Sequence, residues 1–473
     1  MNKSILPGPR SGAVLIPSSK SVVHRLLVCA ALGADPVLLR FRGISEDIQA
    51  TADCLSALGA SVSALGASPT LRSADRSSSA LDLSSLPRDV SLLIRPIRAA
   101  PLRYSFRSPA PAAPRSPDCT LNSGACNMQP ERSTLPCGES GSTLRFLLPV
   151  AGALGCHARF TTRGRLSERP LAPYDRLLSE HGMRIERDGR ELLGTGQLQS
   201  GVFRLPADIS SQYFSGLLMA LPLLPGDSLV QAERSPESPG YIRLTERVLS
   251  LAGVRITRES ESVWRIPGSQ HPQLPAEVRA EGDWSNAAFF LCLGALSETG
   301  VTVRGLDPES VQGDRAVLPL LRDFGASVTV SDDAVTVRRG RCLPLSFSAA
   351  DIPDLVPVLA VLCCAADGPS RITDAARLRY KESDRLHAVS QLILSLGGIA
   401  EELPDGLVIH GRGALRGGTA DAFNDHRIAM SAAVAASLAA EPVTLTGAEC
   451  VRKSYPAFWE DFLSLSTEKE AAP

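Results

Sequence analysis

Residues 54–62 have the sequence CLSALGASV, in which an apolar helix-like ending is followed by a glycine and a short alternating segment. The same order returns around Gly182, Gly253, Gly325 and Gly397. Glycine adopts the left-handed backbone conformation that closes a helix, and a strand can follow it directly. We therefore predict that each of these glycines separates a helix from a strand.

The spacing of these glycines indicates a duplicated unit. Gly182, Gly253, Gly325 and Gly397 follow one another at intervals of 71, 72 and 72 residues. Equal intervals are typical of a repeated supersecondary unit, here an α/β unit of about 72 residues. A final amphipathic stretch, 458–462, predicts a sixth helix that lacks the glycine.

A candidate insert widens the first interval, from Gly59 to Gly182, to 123 residues. We place this insert at about 64–136, where the sequence is rich in serine, proline and alanine, above all at 107–117. Such a composition buries little apolar surface and favours a mobile surface loop. We expect no chemistry from it.

The composition describes an enzyme-like chain of 473 residues, long enough for two or more domains. The net charge of −1 argues against a nucleic-acid partner, and the lack of a long apolar run or signal segment predicts a cytoplasmic protein without a membrane partner. The eleven cysteines include no CxxC pair, so we expect no metal. The group Cys119, Cys126 and Cys137 is the one alternative metal or redox candidate.

The segment 380–385, Tyr-Lys-Glu-Ser-Asp-Arg, places two cations and two carboxylates directly before a long apolar-periodic run. We predict that it forms the first turns of a helix, where Lys381 and Arg385 share a face and Glu382 points to the same cleft. Cations at a helix N-terminus bind anions, and a carboxylate there can move a proton. A solvated helix start is the alternative interpretation.

Further polar clusters precede other apolar runs, so most of them lie where a helix begins. Helix N-termini that meet in one cleft would add their dipoles to the lysines and arginines, which favours a substrate with several phosphate or carboxylate groups. We expect Ser19 or Ser21 to cap the first helix, Asp425 to cap another, and His426 to be structural. The clusters are 17–25, 137–145, 163–170, 208–213, 238–241, 351–354, 424–427 and 452–456.

Taken in order, these segments resemble the EPSP synthases, the 3-phosphoshikimate 1-carboxyvinyltransferases of the shikimate pathway. The resemblance covers roughly 14–62 and 137–462 and fails across the insert. It implies an α/β fold of two globular lobes, each built of three β/α units, joined by a double crossover with the active site between them. We place one lobe at 19–282 and the other at 1–18 plus 283–473. The resemblance also implies a monomer.

The resemblance implies two sets of substrate-binding residues. Shikimate 3-phosphate would be held by Lys20, Ser21, Arg25, Ser210, Ser211, Gln212, Ser238, Tyr241, Asp354, Arg377 and Lys381. Phosphoenolpyruvate would be held by Lys20, Gly141, Arg169, Gln212, Arg385, Arg427 and Lys453. Arginine forks suit carboxylate and phosphate, and a glycine lets backbone amides approach the ligand.

The implied reaction adds the 5-hydroxyl of shikimate 3-phosphate to C2 of phosphoenolpyruvate, protonates C3 and then expels phosphate. It needs no cofactor. Two proton movements in one cleft call for two carboxylates with different duties. We assign Asp354 to the 5-hydroxyl and Glu382 to C3, and Lys20 to charge stabilisation.

Three residues depart from the family pattern. Glu139, Arg377 and His24 each stand where the family usually has asparagine. Glu139 adds a negative charge beside an anion cleft, and we hypothesise that Arg377 offsets it.

Two other functions compete with this interpretation. The sister transferase that acts on UDP-N-acetylglucosamine would share the fold and phosphoenolpyruvate, with Cys126 as its only candidate catalytic cysteine. A non-catalytic phosphate-binding repeat protein would bind anions, and Asp354 and Glu382 would then be dispensable.

Overall fold

The computed structural model describes residues 1–65, 88–97, 133–206, 210–234 and 236–467. Within these ranges the chain forms twelve α-helices and six β-sheets, which confirms the predicted α/β class. None of the helices in the described ranges is both long enough and apolar enough to cross a bilayer.

The elements follow one another along the whole described chain. The helices are α1 Lys20–Leu32, α2 Glu46–Ala57, α3 Gly141–Ala153, α4 Tyr174–Glu180, α5 Ser211–Ala220, α6 Pro239–Leu251, α7 Trp284–Ala295, α8 Val317–Asp323, α9 Val356–Cys363, α10 Arg385–Ser395, α11 His426–Ala436 and α12 Phe458–Ser464. The strands are β1 Lys3–Ile5, β2 Arg10–Leu15, β3 Val37–Arg42, β4 Ser61–Ala64, β5 Asp89–Arg95, β6 Ser133–Gly138, β7 Ala158–Thr162, β8 Met183–Asp188, β9 Glu191–Gly196, β10 Val202–Leu205, β11 Ser228–Ala232, β12 Thr257–Ser260, β13 Val263–Ile266, β14 Glu277–Arg279, β15 Val301–Arg304, β16 Ser327–Val330, β17 Ala334–Arg338, β18 Ser346–Ser348, β19 Asp367–Thr373, β20 Ala400–Leu403, β21 Gly406–Arg412, β22 Gly418–Asp421, β23 Val443–Thr446 and β24 Ser466–Thr467.

One folding unit recurs. A strand leads through a helix to a parallel strand, and a second helix then leads into an antiparallel hairpin. The runs β6–α3–β7–α4–β8–β9, β10–α5–β11–α6–β12–β13 and β18–α9–β19–α10–β20–β21 all follow this plan. The parallel strand pairs need the helical crossover, while the hairpin strands can be joined by a short turn.

In each of the other three units one strand of the sheet comes from a distant part of the chain, and we call it a borrowed strand. Strand β14 pairs in parallel with β3, and β2 pairs in parallel with β15. Strand β1 pairs antiparallel with β23. Each of these three strands therefore pairs with a strand more than two hundred residues away in the chain.

The helix-closing glycines are confirmed. Gly59, Gly182, Gly253, Gly325 and Gly397 have φ angles of 103°, 90°, 71°, 91° and 83°, in the left-handed region that favours glycine. They follow α2, α4, α6, α8 and α10, and a strand comes next in each case. Helix α12 is the sixth helix that the sequence predicts.

The predicted limits of the insert are wrong. Strand β5 lies inside 64–136 and pairs with both β3 and β4, and β6 begins at Ser133. Val90, Leu92 and Ile94 are buried on one face of β5, and this period of two marks a strand. The serine-rich and proline-rich runs themselves lie outside the described residues, as do Cys119 and Cys126.

The buried apolar side chains form two separate cores. The first core joins residues from Val22 to Ala280, and the second joins Ile5, Val14 and Ile16 to residues between Trp284 and Leu465. These cores support two lobes at 19–282 and at 1–18 plus 283–473, a division that stays a prediction.

The two crossing segments are hydrogen-bonded to each other. Ser19 N donates to Glu281 O at 2.7 Å, and Asp283 N donates to Pro17 O at 2.9 Å. The chain therefore passes between the two cores twice at the same place, and these passages lie beside the start of α1 and of α7.

Candidate active site

A cavity of about 290 Å³ lies between the elements of the two cores. Its lining includes sixteen of the seventeen predicted site residues: Lys20, Ser21, Arg25, Gly141, Arg169, Ser210, Ser211, Gln212, Ser238, Tyr241, Asp354, Arg377, Lys381, Glu382, Arg385 and Arg427. Lys453 is buried next to this lining, where its neighbour Ser454 reaches the cavity. The structure therefore brings the predicted residues together.

Several helices begin at the cavity wall, which explains its positive character. Lys20, Gly141, Ser211 and Arg385 are the first residues of α1, α3, α5 and α10, and all four line the cavity. Free backbone N–H groups and the positive dipole end lie at each helix start. The predicted convergence of helix N-termini is thus present in the structure.

The helix predicted to contain Lys381 begins later than expected. The first residue of α10 is Arg385, because Asp384 caps it by accepting a hydrogen bond from His387 N. Lys381 instead follows a 3₁₀ turn, so the predicted shared helix face is wrong. The two cations still meet at Asp354 Oδ1, at 3.7 Å from Lys381 Nζ and 2.8 Å from Arg385 Nη1.

The cap of α1 also differs from the prediction. Ser19 stands at the N-cap position, but its side chain makes no capping hydrogen bond. Asp283 accepts from Lys20 N at 3.0 Å and, through its other oxygen, from Asn286 N at 2.8 Å. The buried carboxylate of Asp283, at the crossover, therefore caps both α1 and α7, one helix on each side of the cavity.

Asp354 is surrounded by cations. Its Oδ1 pairs with Arg385, and its Oδ2 pairs with Arg427 Nη2 at 3.0 Å and accepts from Tyr241 Oη at 3.1 Å. Burial acts to raise the pKa of Asp354, but the charges of Arg427, Lys381 and Arg385 outweigh it and hold the pKa well below its ordinary value. Asp354 is therefore a carboxylate in this structure.

Glu382 lies between two arginines. Its Oε1 is 3.2 Å from Arg169 Nη2, and its Oε2 is 2.6 Å from Arg385 Nη2. Burial favours the neutral acid, yet these arginines hold the pKa of Glu382 well below its ordinary value. Arg169 comes from the first core and Glu382 from the second, so this contact crosses the cavity.

Arg385 holds the acidic groups of the site in place. Its side chain is 1% exposed and contacts Asp354, Glu382 and Asp425, the last at 2.8 Å through Nε. Asp425 also caps α11 as predicted, by accepting from Arg427 N. The planar guanidinium directs N–H groups on three nitrogens to three separate carboxylates, whereas the donors of an ammonium all lie on one nitrogen.

His426 is buried as expected, but it also lines the cavity. Burial lowers its pKa to about 3, so the imidazole is neutral at physiological pH. Both ring nitrogens lack a hydrogen-bond partner among the described residues. The neutral ring thus lines the cavity while both of its nitrogens are buried.

The departures from the family pattern have separate partners. Glu139 forms an ion pair with Lys453, and Lys453 Nζ also donates to Asn424 O at 2.7 Å. Arg377 forms an ion pair with Glu237 and donates to Ser238 Oγ at 3.1 Å. Direct compensation between Glu139 and Arg377 is therefore unnecessary, because each charge is already balanced.

His24, the third departure, belongs to the first core. It is buried, and its Nδ1 lies 2.7 Å from Thr51 Oγ1. Burial lowers the pKa of His24 well below its ordinary value. This substitution therefore changes the packing behind α1 and leaves the cavity lining unaltered.

Among the polar groups at the site that were not predicted from the sequence, three have defined partners. Arg145 lies in a quoted motif without an assigned role, and it donates to Gln212 Oε1 at 2.9 Å. Asp47 pairs with Lys20 at 2.7 Å. Asp314 Oδ2 lies 3.1 Å from Tyr241 Oη, within hydrogen-bond distance, and nothing in its local sequence signals this contact.

The described residues contain no His, Cys, Asp and Glu cluster suited to a metal. Cys137, the described member of the cysteine group, is buried in the first core. The cavity itself presents cations, hydroxyls, helix N-termini and carboxylates. These groups define a class of enzymes that bind small polyanions and move protons between carboxylates and substrate.

Comparison with known proteins assigns the family. The EPSP synthase (3-phosphoshikimate 1-carboxyvinyltransferase) family pattern matches residues 6–82 and 115–462. A 3-phosphoshikimate 1-carboxyvinyltransferase from Clostridium kluyveri is 36% identical over 467 residues, which cover 98% of this chain and 97% of that protein. The corresponding protein of Clostridium beijerinckii is 35% identical over 468 residues, with the same coverage. The chain belongs to the EPSP synthase family.

A solved structure supports the fold. An EPSP synthase from Acinetobacter baumannii superposes with a TM-score of 0.73 at 23% sequence identity, and the match covers 98% of both chains. The family resemblance found in the sequence is confirmed by the family match, which also extends into the predicted insert, to residue 82 and from residue 115. The family match also decides against the sister transferase and the non-catalytic repeat protein.

Proposed function

We propose that the cavity is the active site in which this chain carries out the reaction of its family. That reaction transfers the enolpyruvyl group of phosphoenolpyruvate to the 5-hydroxyl of shikimate 3-phosphate and releases phosphate. One observation carries the proposal: Asp354 and Glu382 lie in a single cavity and are joined by the guanidinium of Arg385. Two carboxylates in one anion-binding cavity suit a reaction with two proton movements.

The proposed site for shikimate 3-phosphate is rich in hydroxyl groups. Ser210 and Ser211 lie at the start of α5, where backbone N–H groups favour phosphate. Ser238, the N-cap of α6, lies within 3.1 Å of Arg377 Nη2 and supplies a further hydroxyl beside a cation. Asp354 on the opposite wall is the acceptor for the 5-hydroxyl proton.

Arg25 supports the proposed shikimate 3-phosphate site through its contacts with neighbouring residues. Its guanidinium donates to Ser21 O, Thr245 Oγ1, Ser215 Oγ and Tyr241 O at 2.6–3.1 Å. These contacts use four of its five N–H donors. Its role in our proposal is to supply positive charge and to hold Ser21 and Tyr241 in position.

The proposed cations for phosphoenolpyruvate are already engaged by acids. Arg169 and Arg385 pair with Glu382, and Arg427 pairs with Asp354. A trianionic substrate would compete with these carboxylates for the same guanidinium groups. Once Arg169 and Arg385 turn to the substrate, Glu382 loses its stabilising charges, and its pKa rises toward protonation.

This exchange prepares both proton steps. Protonated Glu382 donates to C3 while the substrate oxygen bonds to C2 and Asp354 takes the proton of that hydroxyl. The bond from C2 to the phosphate oxygen then breaks, Glu382 takes a proton back from C3, and the departing phosphate accepts the proton that Asp354 had taken, so both carboxylates return to their starting states. Lys20, which pairs with Asp47 in the structure, stabilises the negative charge that moves onto the phosphate.

Phosphate release from phosphoenolpyruvate tests the proposal. We expect release that depends on shikimate 3-phosphate and is absent with UDP-N-acetylglucosamine. Release with the nucleotide sugar would assign the sister reaction, and anion binding without any release would refute catalysis. A monomeric chain with lobes at 19–282 and 1–18 plus 283–473 completes the proposal, and sedimentation velocity tests the monomer.

A further inference from the structure

The hydroxyl of Tyr241 lies between two carboxylates. Tyr241 Oη is 3.1 Å from Asp354 Oδ2 and 3.1 Å from Asp314 Oδ2. Asp314 belongs to the 3₁₀ turn Gly313–Ala316 and is 3% exposed. The residue does not line the cavity, and its hydrogen-bond path to Asp354 passes through Tyr241.

The hydrogens available to Asp314, Tyr241 and Asp354 limit which of these groups can donate a hydrogen bond to another. A phenol carries one hydrogen and can donate it to one carboxylate at a time. If both acids were ionised, one of them would face an oxygen lone pair at hydrogen-bond distance. The geometry is satisfied when one acid is protonated and donates to Tyr241 Oη, which then donates to the other acid.

The surroundings decide which acid carries the proton. Asp354 forms ion pairs with Arg385, Arg427 and Lys381, whereas Asp314 forms none within the described residues. Burial, followed by the charge of Asp354, raises the pKa of Asp314 to about 6. Below about pH 6, Asp314 is thus the acid that holds the proton.

The other groups that face Asp314 do not replace this proton. Arg427 and the Ser285 hydroxyl lower its pKa, and Asp283 raises it, but burial remains the largest effect. Burial also raises the pKa of Tyr241 well above its ordinary value, so the phenol keeps its hydrogen. The hydrogen bonds therefore run from Asp314 to Tyr241 and from Tyr241 to Asp354.

We propose that Asp314 is a positioning residue: in its protonated form it donates to Tyr241 and thereby directs the Tyr241 hydroxyl to Asp354. This inference rests on the proposed function, because it assigns Asp354 to the substrate hydroxyl. When Asp314 ionises, it competes for the single phenolic hydrogen, and Asp354 loses a hydrogen bond that fixes its orientation. The turnover rate then decreases.

Two substitutions separate positioning from mere packing. Asp314→Asn keeps the shape and donates an N–H to Tyr241 at every pH, as the protonated acid does. Asp314→Ala removes the donor. We expect the wild-type kcat to decline as pH rises through the ionisation of Asp314, the Asn variant to lack this step, and the Ala variant to have a kcat lower by about fivefold, the effect of one ordinary hydrogen bond.

The control and the double variant complete the kinetic test. Asp323→Asn makes the same acid-to-amide change at an exposed position in α8, and it should leave the pH profile unchanged. In a Tyr241→Phe background, Asp314→Ala should have no further effect on kcat. Identical pH profiles for wild type, Asn and Ala, or full additivity with Tyr241→Phe, would overturn the inference.

A stability measurement distinguishes this inference from the proposed function. The raised pKa means that folded wild type binds the Asp314 proton more tightly than the unfolded chain does, so stability is lost as pH rises. Between pH 4 and 8, thermal unfolding should show Asp314→Asn gaining stability relative to wild type. A gain without turnover would refute only the function, and turnover without a gain would refute only the proton on Asp314.

Discussion

Replacing Glu382 by glutamine removes one charge with little change of shape, and the structure gives the expected result for each substrate parameter. Glu382 contacts Arg169 at 3.2 Å and Arg385 at 2.6 Å, and both arginines belong to the proposed phosphoenolpyruvate site. Glutamine can still accept a hydrogen bond from either arginine, but it cannot deliver a proton to C3. Binding and chemistry should therefore respond differently.

The size of the effect follows from the role of Glu382. General acid–base catalysis by a positioned side chain contributes about 10²–10⁴-fold in rate, so kcat should decrease by that factor. In free energy this corresponds to roughly 3–5 kcal/mol at the transition state. The KM for phosphoenolpyruvate should stay the same or decrease, because the substrate no longer competes with a carboxylate for Arg169 and Arg385.

Initial rates of phosphate release give kcat and KM, and titration calorimetry gives the affinity for phosphoenolpyruvate. Glu401→Gln is a matched control, since this side chain is 59% exposed and pairs with His410 outside the cavity. The reasoning would be refuted by a kcat within threefold of wild type. It would also fail if the KM for phosphoenolpyruvate rose as steeply as kcat fell.

Three further predictions concern the same charges. Glu139→Asn should free Lys453 and lower the KM for phosphoenolpyruvate by about fivefold, because a half-buried ion pair contributes about 1 kcal/mol. Steady-state kinetics would contradict this prediction if Glu139→Asp lowered the KM by the same factor. Arg385→Lys should reduce the free energy of unfolding by about 3–5 kcal/mol, because one ammonium leaves buried carboxylates unpaired, and urea denaturation would show an unshifted midpoint if this is wrong. Burial opposes the ionised form of Glu382, but Arg169 and Arg385 hold its pKa well below 4.5. The stability that these ion pairs contribute is therefore complete above about pH 4.5, and it is lost as the pH falls toward the pKa of Glu382 in the folded protein. Thermal unfolding between pH 7 and 3 should therefore show a smaller loss for Glu382→Gln than for wild type.

The repeated fold could be predicted from sequence because its signal is local. A glycine with a left-handed backbone directly after an apolar helix marks each unit, as at Gly253 and Gly325. The borrowed strand β14 is only three residues long and pairs with a segment far away in the chain. A local sequence pattern cannot predict a pairing between such distant segments.

The site was predictable where a residue type and a helix start coincide. Lys20, Arg385 and Arg427 lie at such starts, and the structure brings them to one cavity. The start of α10 was misplaced because Asp384 caps the helix more effectively than any residue before Lys381. The functional residues of a charged segment can thus be found even when its helix boundary is shifted.

The remaining contacts depend on distant partners. Glu139 and Lys453 are separated by 314 positions, and Tyr241 and Asp314 by 73. Neither Glu139 nor Asp314 belongs to a pattern that could reveal its partner. Charged residues of this kind acquire their roles only when the two cores face each other.

The borrowed strands also set an order of events during synthesis. Strand β2 ends at Leu15, whereas its parallel neighbour β15 begins at Val301, and β1 pairs with β23, which begins at Val443. At ribosomal speeds of about 5–20 residues per second, β2 remains an unpaired edge for roughly 15–60 s. An exposed edge is open to wrong partners in that period. In the nascent chain, β2 therefore needs protection until β15 has been synthesised. In a refolding chain both strands are present from the start.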